Sequence, residues 1–107
     1  MALKLLQMDY PFDGPWGEEM AEELTPLAHR IAEVPGLVCK VWTENREEGL
    51  AGGVYLFEDE ASLDAYLAPK LERMRAFGIR DIRARKFDVN ATLTGITRGR
   101  LDDGRPA

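Results

Sequence analysis

The period of the apolar residues switches repeatedly along the chain, and each switch marks an element. Leu3 to Tyr10 reads as a strand, closed by Pro11 and an Asp13-Gly14-Pro15 turn. From Trp16 the spacing becomes helical, with Trp16, Met20, Leu24, Leu27, Ile31 and Val34 at steps of four and three. Pro15 suits the first position of that helix, the glutamates of its opening turns suit the positive end of its dipole, and Pro35-Gly36 stops it.

The next stretch predicts a hairpin. Lys40-Val41-Trp42-Thr43-Glu44 leads through Arg46-Glu47-Glu48-Gly49 into Gly52-Gly53-Val54-Tyr55-Leu56-Phe57. β-Branched and aromatic residues flank a polar turn, and Gly49 can take the positive φ that closes it. Centring the turn on Glu47-Glu48 sets Lys40 opposite Tyr55 and Trp42 opposite Gly53, with Lys40, Trp42, Tyr55 and Phe57 on one face. That face is either the wall of a small-molecule pocket or an indole covering bare glycine backbone in a packed sheet.

Asp59 is placed to cap a second helix with the stripe Leu63, Tyr66, Leu67, Leu71, Met74 and Phe77. Gly78 ends it, and Ile79 to Val89 predicts a last strand. Each helix carries an internal proline, Pro26 and Pro69, away from its apolar stripe. Asn90 suits the cap of a short helix through Ile96. The order is therefore βαββαβ, an α+β, ferredoxin-like arrangement of a four-stranded antiparallel sheet with two helices on one face. One domain spans residues 1–98, and residues 99–107 form a polar tail.

Both faces of the predicted sheet carry apolar groups. Leu3 and Leu5 oppose Leu6, Met8 and Tyr10; Leu37, Cys39 and Val41 oppose Val38 and Trp42; Val54 and Leu56 oppose Tyr55 and Phe57. Two helices cover only one face. A second copy of the sheet is the economical cover for the other, which predicts a two-fold homodimer.

Composition narrows the function classes. A net charge of −5 argues against a dedicated nucleic-acid binder. Charge is uneven, with an acidic first third (Asp9, Asp13, Glu18, Glu19, Glu22, Glu23, Glu33) and a later basic stretch (Lys70, Arg73, Arg75, Arg80, Arg83, Arg85, Lys86). Two solvated faces are the simplest reading; complementary charge at a subunit contact and attraction of an anionic substrate are the others. The single cysteine, Cys39, cannot form an intrachain disulfide, fits a reducing cytoplasm and reads as a small core residue. No apolar run reaches the length of a signal peptide or a membrane span. No G-x-G-x-x-G segment or P-loop is present, and within a single chain one histidine, His29, with one cysteine cannot build a two-histidine facial triad or a cysteine zinc site, which leaves only a metal shared across a dimer axis. No cofactor or metal is expected. His29 lies opposite the apolar stripe beside Glu18, Glu22 and Glu33 and should face water.

Gly14-Pro15, Pro35-Gly36, the Lys40–Glu44 and Gly52–Phe57 runs and Phe87-Asp88-Val89-Asn90 together resemble the YdhR-like mono-oxygenases over residues 1 to 100. The resemblance implies a dimeric α+β barrel, a group that includes cofactor-independent antibiotic-biosynthesis mono-oxygenases and haem-degrading enzymes. It implies a fold more directly than a reaction.

Chemistry without a cofactor needs an electron-rich phenol, hydroquinone or enol that passes an electron to dioxygen once deprotonated. The protein then supplies an apolar cavity, a base and donors for the developing oxyanion. Trp42 is the candidate to stack on an aromatic substrate, Tyr55 and Tyr66 to donate or relay protons, and Lys40 or Arg83 to hold an oxyanion. Tyr66 equally suits a helix core, Lys40 a snorkelling side chain and Arg83 an ordinary surface position. Two classes therefore fit: a cofactor-free oxygenase of small aromatic compounds, and a dimeric ligand-binding or stress-related protein with the same pocket and no turnover.

Overall fold

The computed structural model describes residues 2–100. Its elements are β1 (Lys4–Pro11), α1 (Gly17–Ala32), β2 (Leu37–Asn45), β3 (Leu50–Phe57), α2 (Glu60–Ala76), β4 (Arg83–Asp88) and α3 (Ala91–Ile96). The strands form one antiparallel sheet in the order β2-β3-β1-β4, the ferredoxin-like topology expected from the apolar periods. The polar tail expected over 99–107 lies, from residue 101 onward, outside the described residues.

The core forms where the central strands meet the two long helices. Leu6 and Met8 of β1 and Tyr55 and Phe57 of β3 are buried with Ile31 of α1 and Leu63, Tyr66 and Met74 of α2. Alternation along β1 and β3 therefore directs the larger apolar groups under the helices. Lys86 reaches from β4 to Glu60 and Asp64 of α2 at 3.1 and 3.0 Å, and Lys4 bridges Asp88 and Glu60.

The hairpin register agrees with the sequence: Lys40 pairs with Tyr55 and Trp42 with Gly53. Gly49 takes φ +69°, and Asn45 Oδ1 accepts the Glu48 N–H at 3.0 Å to fold the turn. At its other end β2 departs from expectation. Leu37 pairs with Phe57 but Cys39 with Leu56, so Val38 is an extra residue in a bulge. The bulge changes the parity of the strand. Leu37 consequently packs against the core, away from Cys39 and Val41, with which it was expected to share a face. Cys39 is exposed instead of being a core residue.

Helix boundaries also differ. Trp16 is the N-cap of α1, so Pro15 precedes the helix and does not occupy its first position. The helix ends at Ala32, short of Pro35-Gly36, because a residue before proline is driven out of the α region. Its last carbonyls are closed by Glu33 and Val34 N–H groups at 3.1 and 3.0 Å, donated three residues back. In α2, Asp59 accepts the Ser62 N–H at 2.8 Å as expected. Gly78 (φ +86°) ends the helix, with Gly78 N–H on Arg75 O and Ile79 N–H on Met74 O, a Schellman closure. Phe77 belongs to this closure and not to the buried stripe, and is 85% exposed.

The last strand is shorter than the predicted Ile79–Val89. Asp81 at φ +54° interrupts the extended path, and pairing with β1 starts at Arg83 opposite Asp9. Asn90 caps α3 through the Leu93 N–H at 3.1 Å. The sheet face away from the helices carries Cys39, Val41, Leu5, Val54 and Phe87, with Val41 58% and Phe87 45% exposed. It also carries the Arg83–Asp9 ion pair.

Candidate functional site

A cavity of about 700 Å³ opens between the sheet and the helices, within the usual range of small-molecule sites, about 300–1,000 Å³. Four of the five candidate residues, Lys40, Trp42, Tyr55 and Tyr66, line it. β2 and β3 aim Lys40, Trp42 and Tyr55 at the helices because these positions share the parity of the core residue Phe57. α2 brings Tyr66 down from above, on the face that also buries Leu63 and Met74.

The local geometry turns on Gly53. It lies opposite Trp42, and a Cβ there would sit 2.5 Å from Lys40 Cε and 3.3 Å from Tyr55 Cε1. The missing side chain lets the Lys40 stem cross bare strand. The Lys40 Nζ then stands 3.3 Å from the centroid of the Trp42 ring and 4.7 Å from that of Tyr55. Burial, reinforced by Lys70, lowers the Lys40 ammonium to about 7. The aromatic faces favour the charged form and offset part of that effect. A lysine poised this way exchanges a proton near neutrality.

Tyr66 O–H donates to the Tyr55 hydroxyl at 3.3 Å, with ring centroids 5.3 Å apart. Burial raises both phenols above their ordinary value; at Tyr55 the Tyr66 neighbour adds to the rise, and at Tyr66 the bond to Tyr55 opposes it. Both are therefore protonated near neutral pH and act as donors. Tyr10, also raised by burial, lies on the same wall.

Arg83 is not brought to the cavity. It pairs in register with Asp9, on the sheet face opposite to that of Met8 and Ala84, and its Nε donates to Asp9 Oδ1 at 3.0 Å. An oxyanion held in the cavity is out of its reach. In its place stand three cations: Lys70 and Arg73 of α2, which belong to the basic stretch for which attraction of an anionic substrate was one reading, and Arg30 of α1, which the sequence did not point to. A signal existed for two of them. Lys70 and Arg73 follow Tyr66 by four and seven residues, so they continue its helical stripe. His29 is exposed on α1. Among the described residues no group of three or more His, Cys, Asp or Glu side chains is arranged to hold a metal, and no helix is long and apolar enough to cross a membrane.

The antiparallel sheet in the order β2-β3-β1-β4, with α1 and α2 on one face, places the chain in the α+β, ferredoxin-like class. Within it, the chain belongs to the mono-oxygenase family described as "Putative mono-oxygenase ydhR", whose model matches residues 5–100. Solved structures share the fold at low identity. A protein from Shewanella oneidensis aligns with a TM-score of 0.60 at 13% identity, covering 82% of this chain and 91% of its own. A protein of unknown function from Nitrosomonas europaea aligns with a TM-score of 0.58 at 18% identity, covering 84% and 91%. SnoaB, a cofactor-independent oxygenase from Streptomyces nogalater, aligns with a TM-score of 0.55 at 15% identity, covering 83% and 93%. No curated protein matches the sequence.

Proposed function

We propose that this chain is a cofactor-independent mono-oxygenase of a small phenol or hydroquinone, acting in the cytoplasm as a homodimer. The observation that carries the reading is Lys40, held between Trp42 and Tyr55 in the cavity with its ammonium lowered to about 7. Membership of a mono-oxygenase family and the shared fold of SnoaB support it.

In this reading the substrate ring stacks on Trp42 and displaces the Lys40 amine from the indole face. The neutral amine takes the phenolic proton, and the resulting ammonium holds the phenolate. The phenolate gives one electron to dioxygen, and the aryloxyl radical and superoxide join at a ring carbon that bears hydrogen. Protonation gives a hydroperoxide. Loss of water, which carries off that carbon's hydrogen and the distal oxygen, leaves a quinone carbonyl. A phenol and one dioxygen thus become a quinone and one water, the substrate supplying all the electrons. The Tyr66–Tyr55 hydroxyl pair faces the same space as a donor to the peroxide oxygen. Carbon walls from Met8, Ile31 and Met74 keep water from the radical pair.

Oxygen uptake by the purified protein over a panel of naphthols and hydroquinones tests this. One oxygen-18 atom from labelled dioxygen should enter each quinone, and Trp42→Phe should lower the rate with the fold intact. A ligand that binds in the cavity without any uptake would overturn turnover and leave a binding protein. The exposed apolar groups of the outer sheet face, Val41 and Phe87 among them, support the homodimer.

A further inference from the structure

Arg30, Lys40, Lys70 and Arg73 all line one cavity of a chain whose net charge is −5, and among the described residues no Asp or Glu lines it with them. Ion pairs elsewhere in the molecule engage Lys4, Lys86 and Arg83; among the described residues none engages these four. Clustering unpaired cations is unfavourable. Burial lowers the Lys70 ammonium, and the repulsion of Arg73 and Arg30 lowers it further. Such a cluster is relieved by an anion arriving from outside.

Position sorts the four. Arg30 and Arg73 are exposed, Lys70 is half-buried, and Lys40 lies deeper against Trp42 and Tyr55. Lys70 and Arg73 are neighbours on one face of α2, and Arg30 faces the same space from the last turn of α1. Two guanidinium groups and an ammonium at the rim, with aromatic rings below, make a site with a charged end and a flat apolar end. Guanidinium matches the planar, two-oxygen geometry of a carboxylate.

We propose that Arg30, Lys70 and Arg73 form an anion subsite that binds a carboxylate on the aromatic compound whose ring lies against Trp42 and Tyr55. The proposal rests on the reading of this cavity as the substrate site, and not on turnover. It narrows the substrate class from phenols in general to aromatic hydroxy acids.

Fluorescence titration under anaerobic conditions with 6-hydroxy-2-naphthoate and 2-naphthol separates the two parts. The naphthoate should bind about tenfold or more tightly than the naphthol, as a charge-assisted contact implies. The preference should fall towards unity in the Arg30→Gln/Arg73→Gln double variant, whose folding is checked by circular dichroism, while the Arg30→Lys/Arg73→Lys variant should keep part of it. In the unmodified protein the same preference should shrink as ionic strength rises, a readout that does not depend on any variant folding. Equal affinities, no binding of the naphthoate, or a preference untouched by both high salt and the double variant would overturn the anion subsite. Dioxygen then distinguishes the readings. Carboxylate-selective binding without oxygen uptake would remove the oxygenase and keep the subsite; uptake with neutral quinols and equal affinities would do the reverse.

Discussion

The Lys40 Nζ lies 3.3 Å from the centre of the Trp42 indole, two residues along the same strand. The contact exists because Gly53, opposite Trp42, leaves room for the lysine stem. A charged group is thereby held against an aromatic face inside a cavity, where its proton is loosened by burial. This pair connects the strand register to the proposed chemistry.

Replacing Lys40 by Met removes the proposed base. Oxygen uptake should fall at least about a hundredfold, the scale of a positioned general base. In the unmodified protein the rate should rise with pH through about 7 and level off above it, as the free amine accumulates. Lys40 touches the rings of Trp42 and Tyr55, and the titratable and charged groups that line the cavity with it are Tyr10 and Tyr55 from the sheet, Tyr66, Lys70 and Arg73 from α2 and Arg30 from α1. A rate that falls across the same window would remove Lys40 from the role.

The same lysine sets a pH dependence of stability. Its folded pKa of about 7 lies below the ordinary 10.5, so between these values the unfolded chain holds more protons. Stability from this group therefore rises with pH through that window, and the full penalty applies below about 7. Lys40→Met should be more stable than the parent at acidic pH by about 1 kcal/mol, an advantage that shrinks on the alkaline side. Thermal melts across the pH range check the sign.

Adjacent glycines should respond differently to alanine. At Gly52 a Cβ would lie 1.9 Å from Met8 O and 2.7 Å from Asp9 Cα, both backbone of the paired strand. Gly52→Ala should cost about 3 kcal/mol or prevent folding. At Gly53 the nearest atom is the end of the flexible Lys40 chain. Gly53→Ala should cost about 1 kcal/mol or less, while displacing Lys40 from the indole and altering Trp42 fluorescence. Chemical denaturation of both variants makes the comparison.

The Tyr66 to Tyr55 hydrogen bond, 3.3 Å and buried, should be worth about 1 kcal/mol. Tyr66→Phe removes the donor and Tyr55→Phe the acceptor, and the double variant should cost less than the sum of the two. Additive losses in a double-mutant cycle would show that the hydroxyls do not act as a pair.

Val41 is 58% exposed on the sheet face away from the helices. If a second copy covers that face, sedimentation should show a dimer, and Val41→Asp should shift it towards monomer while leaving the monomer fold. A parent protein that sediments as a monomer at micromolar concentration would remove the homodimer.

The order βαββαβ, the turn at Gly49, the caps Asp59 and Asn90 and the pairing of Lys40 with Tyr55 were legible in the chain, because each depends on neighbours in sequence or on one short turn. The bulge at Val38, the exposure of Cys39 and the release of Phe77 from the α2 stripe were not. They depend on where the ladder to β3 begins and where the last helical bonds close.

The site divides in the same way. That Lys40, Trp42 and Tyr55 share a face follows from the order of residues alone, since side chains alternate along paired strands. Packing of the elements puts this face under the helices, leaves Arg83 on the other side with Asp9, and brings Arg30 to Lys70 and Arg73. These facts arise where separate elements pack together. Local periodicity says which residues travel as a group, but the burial of Phe57, Leu6 and Tyr66 in one core chooses the direction they face.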